Sequence, residues 1–423
     1  MTEAAPVGRE STEIGRRARL IRRRRGLSLD VVAGLAGFSK GYLSMLETGQ
    51  RGFNRLGLIG DLARALGCSV IDLTGAALPS GRPGHRRRAG GRAGHPGGAA
   101  HNYGPDDVPD VRPRPLDELV AQAQTANDHR DQSRLSLAGR DLGTLITELQ
   151  VHASTAGSPD RNRAVTALVT ACSVAGPVVR VSAGNLDLAA TVGRHMYDLA
   201  RRHGNPGLIG FARWFWASDL SCLGAQDRAR AVVSTGIDEL TPVVRLDAAD
   251  TLPAEILGFL HGRAAWIAAR ERRGDEARAH LDEAGMIAGR IGECTGMGRH
   301  FGPTNVRLHQ LGIGVELGEG GRAYAEITRT PLDVDALGSR ERSSEMHLDL
   351  ARALVQDGPD RDAEAIRHLD IADRLAPQRI RMNPVARDLV IDLDRRARRR
   401  VWELDSLCNR FGLGKQRSQR VKT

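Results

Sequence analysis

Apolar residues recur at helical spacing along most of this chain, and strict apolar–polar alternation never persists beyond a few positions. The first 75 residues carry the pattern in short runs. Ile14, Ala18 and Ile21 place a first helix over about Ser11 to Arg25, ended by Gly26. Ser28 caps a second helix through about Ala36, Gly37 makes the turn, and Ser39 caps a third helix to about Thr48. A fourth covers about Arg55 to Leu66 before Gly67, and Ser69 opens a short last turn through Leu73. Residues 12–75 therefore read as a compact five-helix unit, preceded by a disordered N-terminus over 1–11. Its expected core is Val32, Ala36, Phe38, Leu43, Leu46, Leu62, Ala65 and Leu66, with Ala33 small where the second and third helices meet.

The periodicity then stops. Residues 76–115 are dominated by Gly, Pro and Arg and read as a disordered tether. From 116 to 411 it returns as pairs of helices whose second members share a spacing: a small residue, a larger apolar one four later, and a small one three after that. The pattern appears at Gly193–Tyr197–Ala200, Ala229–Val233–Gly236, Ala277–Leu281–Ala284 and Ala365–Leu369–Ala372, with a weaker copy at Ala323 and Ile327. Small residues suit close helix crossings, and the larger residue fills the layer between hairpins. An irregular Ala–Leu helical bundle is the plainer alternative. Either way the body is all-α, and 412–423 is a basic tail.

Charge sharpens this division. The chain has 423 residues and a formal net charge of +10. Residues 1–75 carry +5, 76–115 carry +4 and 378–423 carry +8, leaving −7 for 116–377. Basic ends on an acidic middle suggest a polyanion-binding end attached to a body with another task, although solubility alone is a simpler reading. Aromatics make up only 4% of the chain, so Ala, Leu, Val and Ile must fill the core. The five cysteines are widely spaced and form no C-x-x-C, which points to reduced thiols. The N-terminus has no signal-peptide core, and no run of about 18 uncharged apolar residues offers a membrane span.

The stretch "GFSKG", Gly37 to Gly41, fits the Gly-x-Ser-x-Gly elbow of serine hydrolases. That chemistry needs a strand ending just before Ser39, and the helical pattern supplies none. "GIGVELGEGG" at 312–321 hints at a phosphate loop but also lacks a preceding strand. The 13 histidines are scattered. No enzyme, metal or cofactor is expected.

The motif over 12–75 resembles the helix-turn-helix domain of phage repressors, Cro and the XRE regulators from first helix to last. The resemblance implies that the third helix enters the major groove of double-stranded DNA. Ser39, Lys40, Gly41, Tyr42, Ser44 and Met45 would form its groove-facing side. Lys40 would reach a guanine edge or a phosphate, and Met45 would pack on a thymine methyl. Arg51, Asn54 and Arg55, in the following loop, would face phosphates, as would the amides at the helix starts capped by Ser28 and Ser39. Leu29 stands where relatives often carry Gln, and Gly41 offers no side chain at a usual base-reading position. The family also pairs a Glu at the end of the recognition helix with an Arg in the first helix, here Glu47 and Arg22, as a structural clamp. A homodimer on a near-palindromic site is implied.

The hairpins of 116–411 resemble tetratricopeptide repeats, which stack into a curved solenoid. XRE domains joined to such bodies resemble peptide-responsive regulators of Gram-positive bacteria and actinobacterial regulators of development and secondary metabolism. The resemblance implies a cytoplasmic, nucleoid-associated regulator sensing a peptide, small-molecule or protein effector. Candidate lining residues are Arg213, Trp214, Trp216, His261, Trp266, His300, Asn305 and His309, the tryptophans also readable as core filling. The alternative is a repeat-based protein-interaction adaptor with weak or vestigial DNA binding.

Overall fold

A computed structural model describes residues 13–74, 104, 107–183, 185–397 and 401–413. The 1–11 segment, most of 76–115 and most of the 412–423 tail lie outside the described residues. Five helices build the N-terminal head: α1 (Glu13–Arg24), α2 (Leu29–Ala36), α3 (Lys40–Glu47), α4 (Leu56–Leu66) and α5 (Val70–Thr74). The punctuation expected from sequence sets them. Ser28 and Ser39 each occupy an N-cap, their hydroxyls accepting from the Val31 and Tyr42 amides at 3.2 and 3.1 Å. Gly37 and Gly67 end α2 and α4 in the left-handed conformation, at φ 66° and 63°. Ile14, Ala18, Val32, Ala33, Leu43, Leu46, Phe53, Leu58, Ile59, Leu62 and Leu66 form one buried cluster.

The body is a run of helices: α6 (Leu116–Asp131), α7 (Leu135–Ala138), α8 (Leu142–Thr155), α9 (Ser158–Ala183), α10 (Leu186–His203), α11 (Pro206–Cys222), α12 (Gln226–Leu240), α13 (Leu252–Arg270), α14 (Gly274–Ile291), α15 (Pro303–Leu317), α16 (Gly320–Arg329), α17 (Arg340–Asp357), α18 (Asp362–Leu375), α19 (Pro377–Met382), α20 (Pro384–Arg396) and α21 (Trp402–Arg410). No strand occurs among the described residues, which carry a single isolated bridge, Cys294 to Phe301. Among the described residues the fold is all-α: a five-helix head on a body of stacked helical hairpins.

The repeat anchors fall where the spacing puts them. Gly193, Ala229, Ala277, Ala323 and Ala365 lie buried on α10, α12, α14, α16 and α18. A Cβ on Gly193 would stand 3.3 Å from the Trp216 Cα, so the small residue lets α10 and α11 cross closely.

Two expectations change. The tether does not run to 115. Residues 107–115 lie against α8, with the Arg114 guanidinium on Glu148 at 2.5 Å and the His152 Nε2 2.8 Å from the Arg114 carbonyl. That long-range ion pair is invisible to local composition. And although no long uncharged run occurs, the Ser158–Val181 stretch is long and apolar enough to cross a membrane by length and composition alone; 83% of its apolar window is buried, making it the central helix of the body core.

Candidate nucleic-acid interface

The start of α3 is open to solvent. Ser39, Lys40 and Gly41 are exposed, and Tyr42, Ser44 and Met45 are half-buried behind them. The Ser39 hydroxyl serves the helix cap, so the Gly-x-Ser-x-Gly match is a turn and a cap. Lys40 Nζ lies 2.8 Å from Asp30 Oδ2 on α2, an exposed pair that a phosphate can replace. A Cβ at Gly41 would meet nothing within 4 Å. No packing constraint requires glycine there. Tyr42 stacks edge-on against Phe38 at 5.6 Å, fixing the turn between α2 and α3.

Arg22 and Glu47 meet beneath this surface. The Arg22 Nε and Nη2 donate to the two Glu47 carboxylate oxygens at 2.6 and 2.7 Å, and its Nη1 donates to the Leu27 carbonyl at 3.0 Å. Glu47 is only 3% exposed. This bidentate pair ties the end of α3 to α1.

Residues 13–74 match the helix-turn-helix domain family. The head is thus similar to helix-turn-helix domains over all five of its helices. No curated protein sequence matches the chain. Among solved structures it is similar to Bacillus thuringiensis PlcR in complex with the peptide PapR7 and DNA, at 12% identity and a TM-score of 0.28, over 66% of this chain and 95% of that chain. At that level the overlay carries nothing for the body, whose architecture rests on its own helices.

The loop after the recognition helix departs from expectation. Arg51 is exposed, whereas Asn54 and Arg55 are half-buried, with the Asn54 carbonyl and the Arg55 guanidinium turned to the body. The Asn54 carbonyl accepts from Arg352 Nε at 3.0 Å, and Arg55 Nη1 reaches the Glu316 carbonyl at 3.4 Å. Arg55 is the N-cap of α4 and gives it no side-chain cap. The cap comes from the body: Glu316, fully buried, accepts from the Leu56 and Gly57 amides at 3.2 Å each. Asp388 accepts from the Phe53 amide. Arg352 Nη2 holds Glu316 at 2.5 Å. Burial pushes the Glu316 carboxyl up, but the Arg352 and Arg270 guanidiniums and the Leu56 amide outweigh it and keep it below the usual range. At the other end of α3, Arg272 donates to the Gly37 carbonyl at 3.3 Å and to Asp61 at 3.0 Å, over the Phe38 ring.

The eight effector candidates divide among several places. Trp214, His300, Asn305 and His309 line one narrow cleft with Phe259, Arg130, Arg299 and Glu341. Trp266 touches it only through His309, edge-on at 6.4 Å. Arg213 and Trp216 are instead packed around Tyr197, with Arg213 also bonded to Glu239. His261 pairs with His280, ring nitrogens 3.0 Å apart, on the α13–α14 hairpin. Helical periodicity assigns a face, but which faces converge depends on how hairpins stack.

In the cleft, His300 lies 3.1 Å from Asp131, and Arg130 joins Asn127, the Gly298 carbonyl and Glu341. Arg299, absent from the sequence candidates, is buried with Nη2 on Ser173 and its Nε without a partner among the described residues. The Asn305 Oδ1 is likewise buried without one. Burial, reinforced by neighbouring Arg130, drives the Arg299 guanidinium well below its ordinary value. Burial also pushes His309 down to about 3, so it is neutral at pH 7.

Proposed function

We propose that this protein is a sequence-specific transcription regulator of the XRE class, acting as a homodimer on nucleoid DNA and responding to an effector through its helical body. The observation that carries the DNA-binding part is the exposed first turn of α3, Ser39 to Gly41, on a head that matches the helix-turn-helix family. Lys40 and Arg51 supply the contacts to bases and phosphates, while Ser28 and Ser39 present capped helix starts to the backbone. Glu47 and Arg22 act structurally. With Gly41 bare, base readout by α3 is thin, and DNA shape carries more of the specificity.

The effector part is supported by the cleft. A ligand offering an acceptor to Arg299 Nε and a donor to Asn305 Oδ1 would satisfy two buried orphan atoms. A short peptide and a small polar metabolite both meet that requirement, and a role in development or secondary metabolism suits either. The cleft and the cradle under the head share helices. Asn305 and His309 lie on α15 with Glu316, and Glu341 lies on α17 with Arg352. Asn305 and Glu316 are thus about 16 Å apart along one helix, so a ligand that shifts α15 against α17 moves the head.

Selection of duplexes from a random pool by the full-length protein, followed by footprinting, tests this reading. A protected, near-palindromic site lost in a Lys40→Ala, Arg51→Ala variant is expected. No sequence-selective footprint at low salt would sink it.

A further inference from the structure

We propose that the body holds the head in a closed, DNA-incompetent arrangement, in which Glu316 and Asp388 occupy backbone amides that a DNA phosphate must take. This inference rests on the DNA-binding reading above and adds its control.

The Leu56 and Gly57 amides belong to the first turn of α4, where N–H groups have no partner within the helix and the helix dipole favours an anion. Phe53 presents its amide from the loop just before. In the helix-turn-helix resemblance this loop flanks the groove. Here each of the three amides already donates to a body carboxylate. A phosphate oxygen and a carboxylate oxygen cannot share these sites, so DNA must displace the body.

Sterics point the same way. A Cβ built on Gly57 would stand 2.8 Å from the Arg270 carbonyl oxygen and 3.3 Å from its Cα, and one on Gly52 would stand 3.1 Å from Asp388. Body atoms therefore fill the space a sugar-phosphate strand would need along this edge. Arg272 secures the opposite edge through Gly37, Phe38 and Asp61. The reading face between the two edges stays exposed, so closure acts on the backbone flanks and not on the base-reading surface. Release leaves Glu316 paired, because it keeps Arg352, and Arg352 also keeps Asp349 at 2.6 Å.

The contacts suggest a clean wedge. Every atom a Gly57 Cβ would meet first belongs to Arg270 of the body, and alanine is the better helix former. Gly57→Ala should therefore open the closed form while sparing the head. The test is full-length protein with a mixed-sequence DNA duplex at low salt, read by fluorescence anisotropy alongside amide hydrogen exchange at 53–57. In the native chain without DNA, the Phe53, Leu56 and Gly57 amides should be protected. Gly57→Ala should lose that protection and bind the duplex about tenfold tighter, because more of the chain is binding-competent. Should Gly57→Ala be accommodated with protection intact, the bulkier Gly57→Leu forces the opening and is read in the same way.

Unprotected amides in the native chain would overturn the closed arrangement. Deprotection without tighter binding, or with weaker binding, would overturn its inhibitory role. If neither the native chain nor the opened variants bound any duplex, the DNA-binding reading itself would fail.

Discussion

Two Arg–Glu pairs with buried carboxylates hold the helix-turn-helix head, and they differ in range. Arg22–Glu47 is internal: it joins α1 to α3 across 25 residues, with both partners in the family pattern. Arg352–Glu316 is external: its carboxylate caps α4 of the head from about 260 residues away in sequence. The first keeps the recognition helix in place whatever the body does. The second lets the body decide what the head can touch. The internal clamp belongs to the head's own fold, whereas the external one can be released without unfolding it.

The largest expected effect is on the internal clamp. Glu47→Ala leaves the Arg22 guanidinium largely buried without its carboxylate, which costs about 3 kcal/mol of head stability. Denaturant unfolding monitored in the head should show it, with DNA binding falling in parallel. Unchanged stability and binding would mean the pair is incidental. The external clamp should be worth less, because in Glu316→Gln the Arg352 side chain retains Asp349. About 2 kcal/mol is expected for that substitution. Its signature is different: exchange quickens at Leu56 and Gly57 while the exchange of α1 and α3 is unchanged.

These two clamps also divide what was legible in the sequence from what was not. Ser28, Gly37, Ser39 and Gly67 act within a few residues of themselves, so caps and turns could be read directly. The repeat anchors from Gly193 to Ala365 were legible for the same reason, since each reports a crossing within its own hairpin. The head–body contact depends on how distant helices stack, and local pattern does not encode that. It left one trace, because Arg55 is a poor residue to start a helix and α4 therefore needs a cap from elsewhere. Arg299 escaped notice as one arginine among many in the chain; its place in the cleft together with an unpartnered Nε distinguishes it.

Acid should separate the body from its clamp. Burial, with the neighbouring imidazole, holds His261 and His347 down at about 4, and burial lowers His280 and His368 as well. Each pair brings two ring nitrogens within 3.0 Å, at His261–His280 and His347–His368. For a base with a lowered folded-state value, the unfolded chain binds more protons. The contribution of these pairs is full above the ordinary histidine value of 6.5 and declines from there down to about 4. Glu316 runs on a lower window. Its contribution holds above the ordinary glutamate value of 4.5 and fades as pH falls through its depressed one. Melting followed from neutral to mildly acidic pH should therefore lose body stability first, with amide protection at Leu56 and Gly57 persisting. Simultaneous loss would mean that the body and its clamp do not titrate separately. A His280→Gln, His368→Gln variant, which keeps a hydrogen-bonding side chain without titrating, should flatten the early decline.

The smallest effect on stability should come from Lys40, and its value lies in that smallness. Its pair with Asp30 leaves both side chains 62% exposed, and such pairs contribute about 0–1 kcal/mol. Lys40→Ala should therefore melt with the native chain. Its cost should appear on DNA, as a loss of about tenfold in affinity and a salt dependence shallower by about one unit of slope. Measured in the opened Gly57→Ala background, the loss should persist in full, because Lys40 lies on the reading face and the body closes only the flanks. If the loss instead vanished once the head was released, Lys40 would be acting through the closed form, and the division between an open reading face and guarded edges would be wrong.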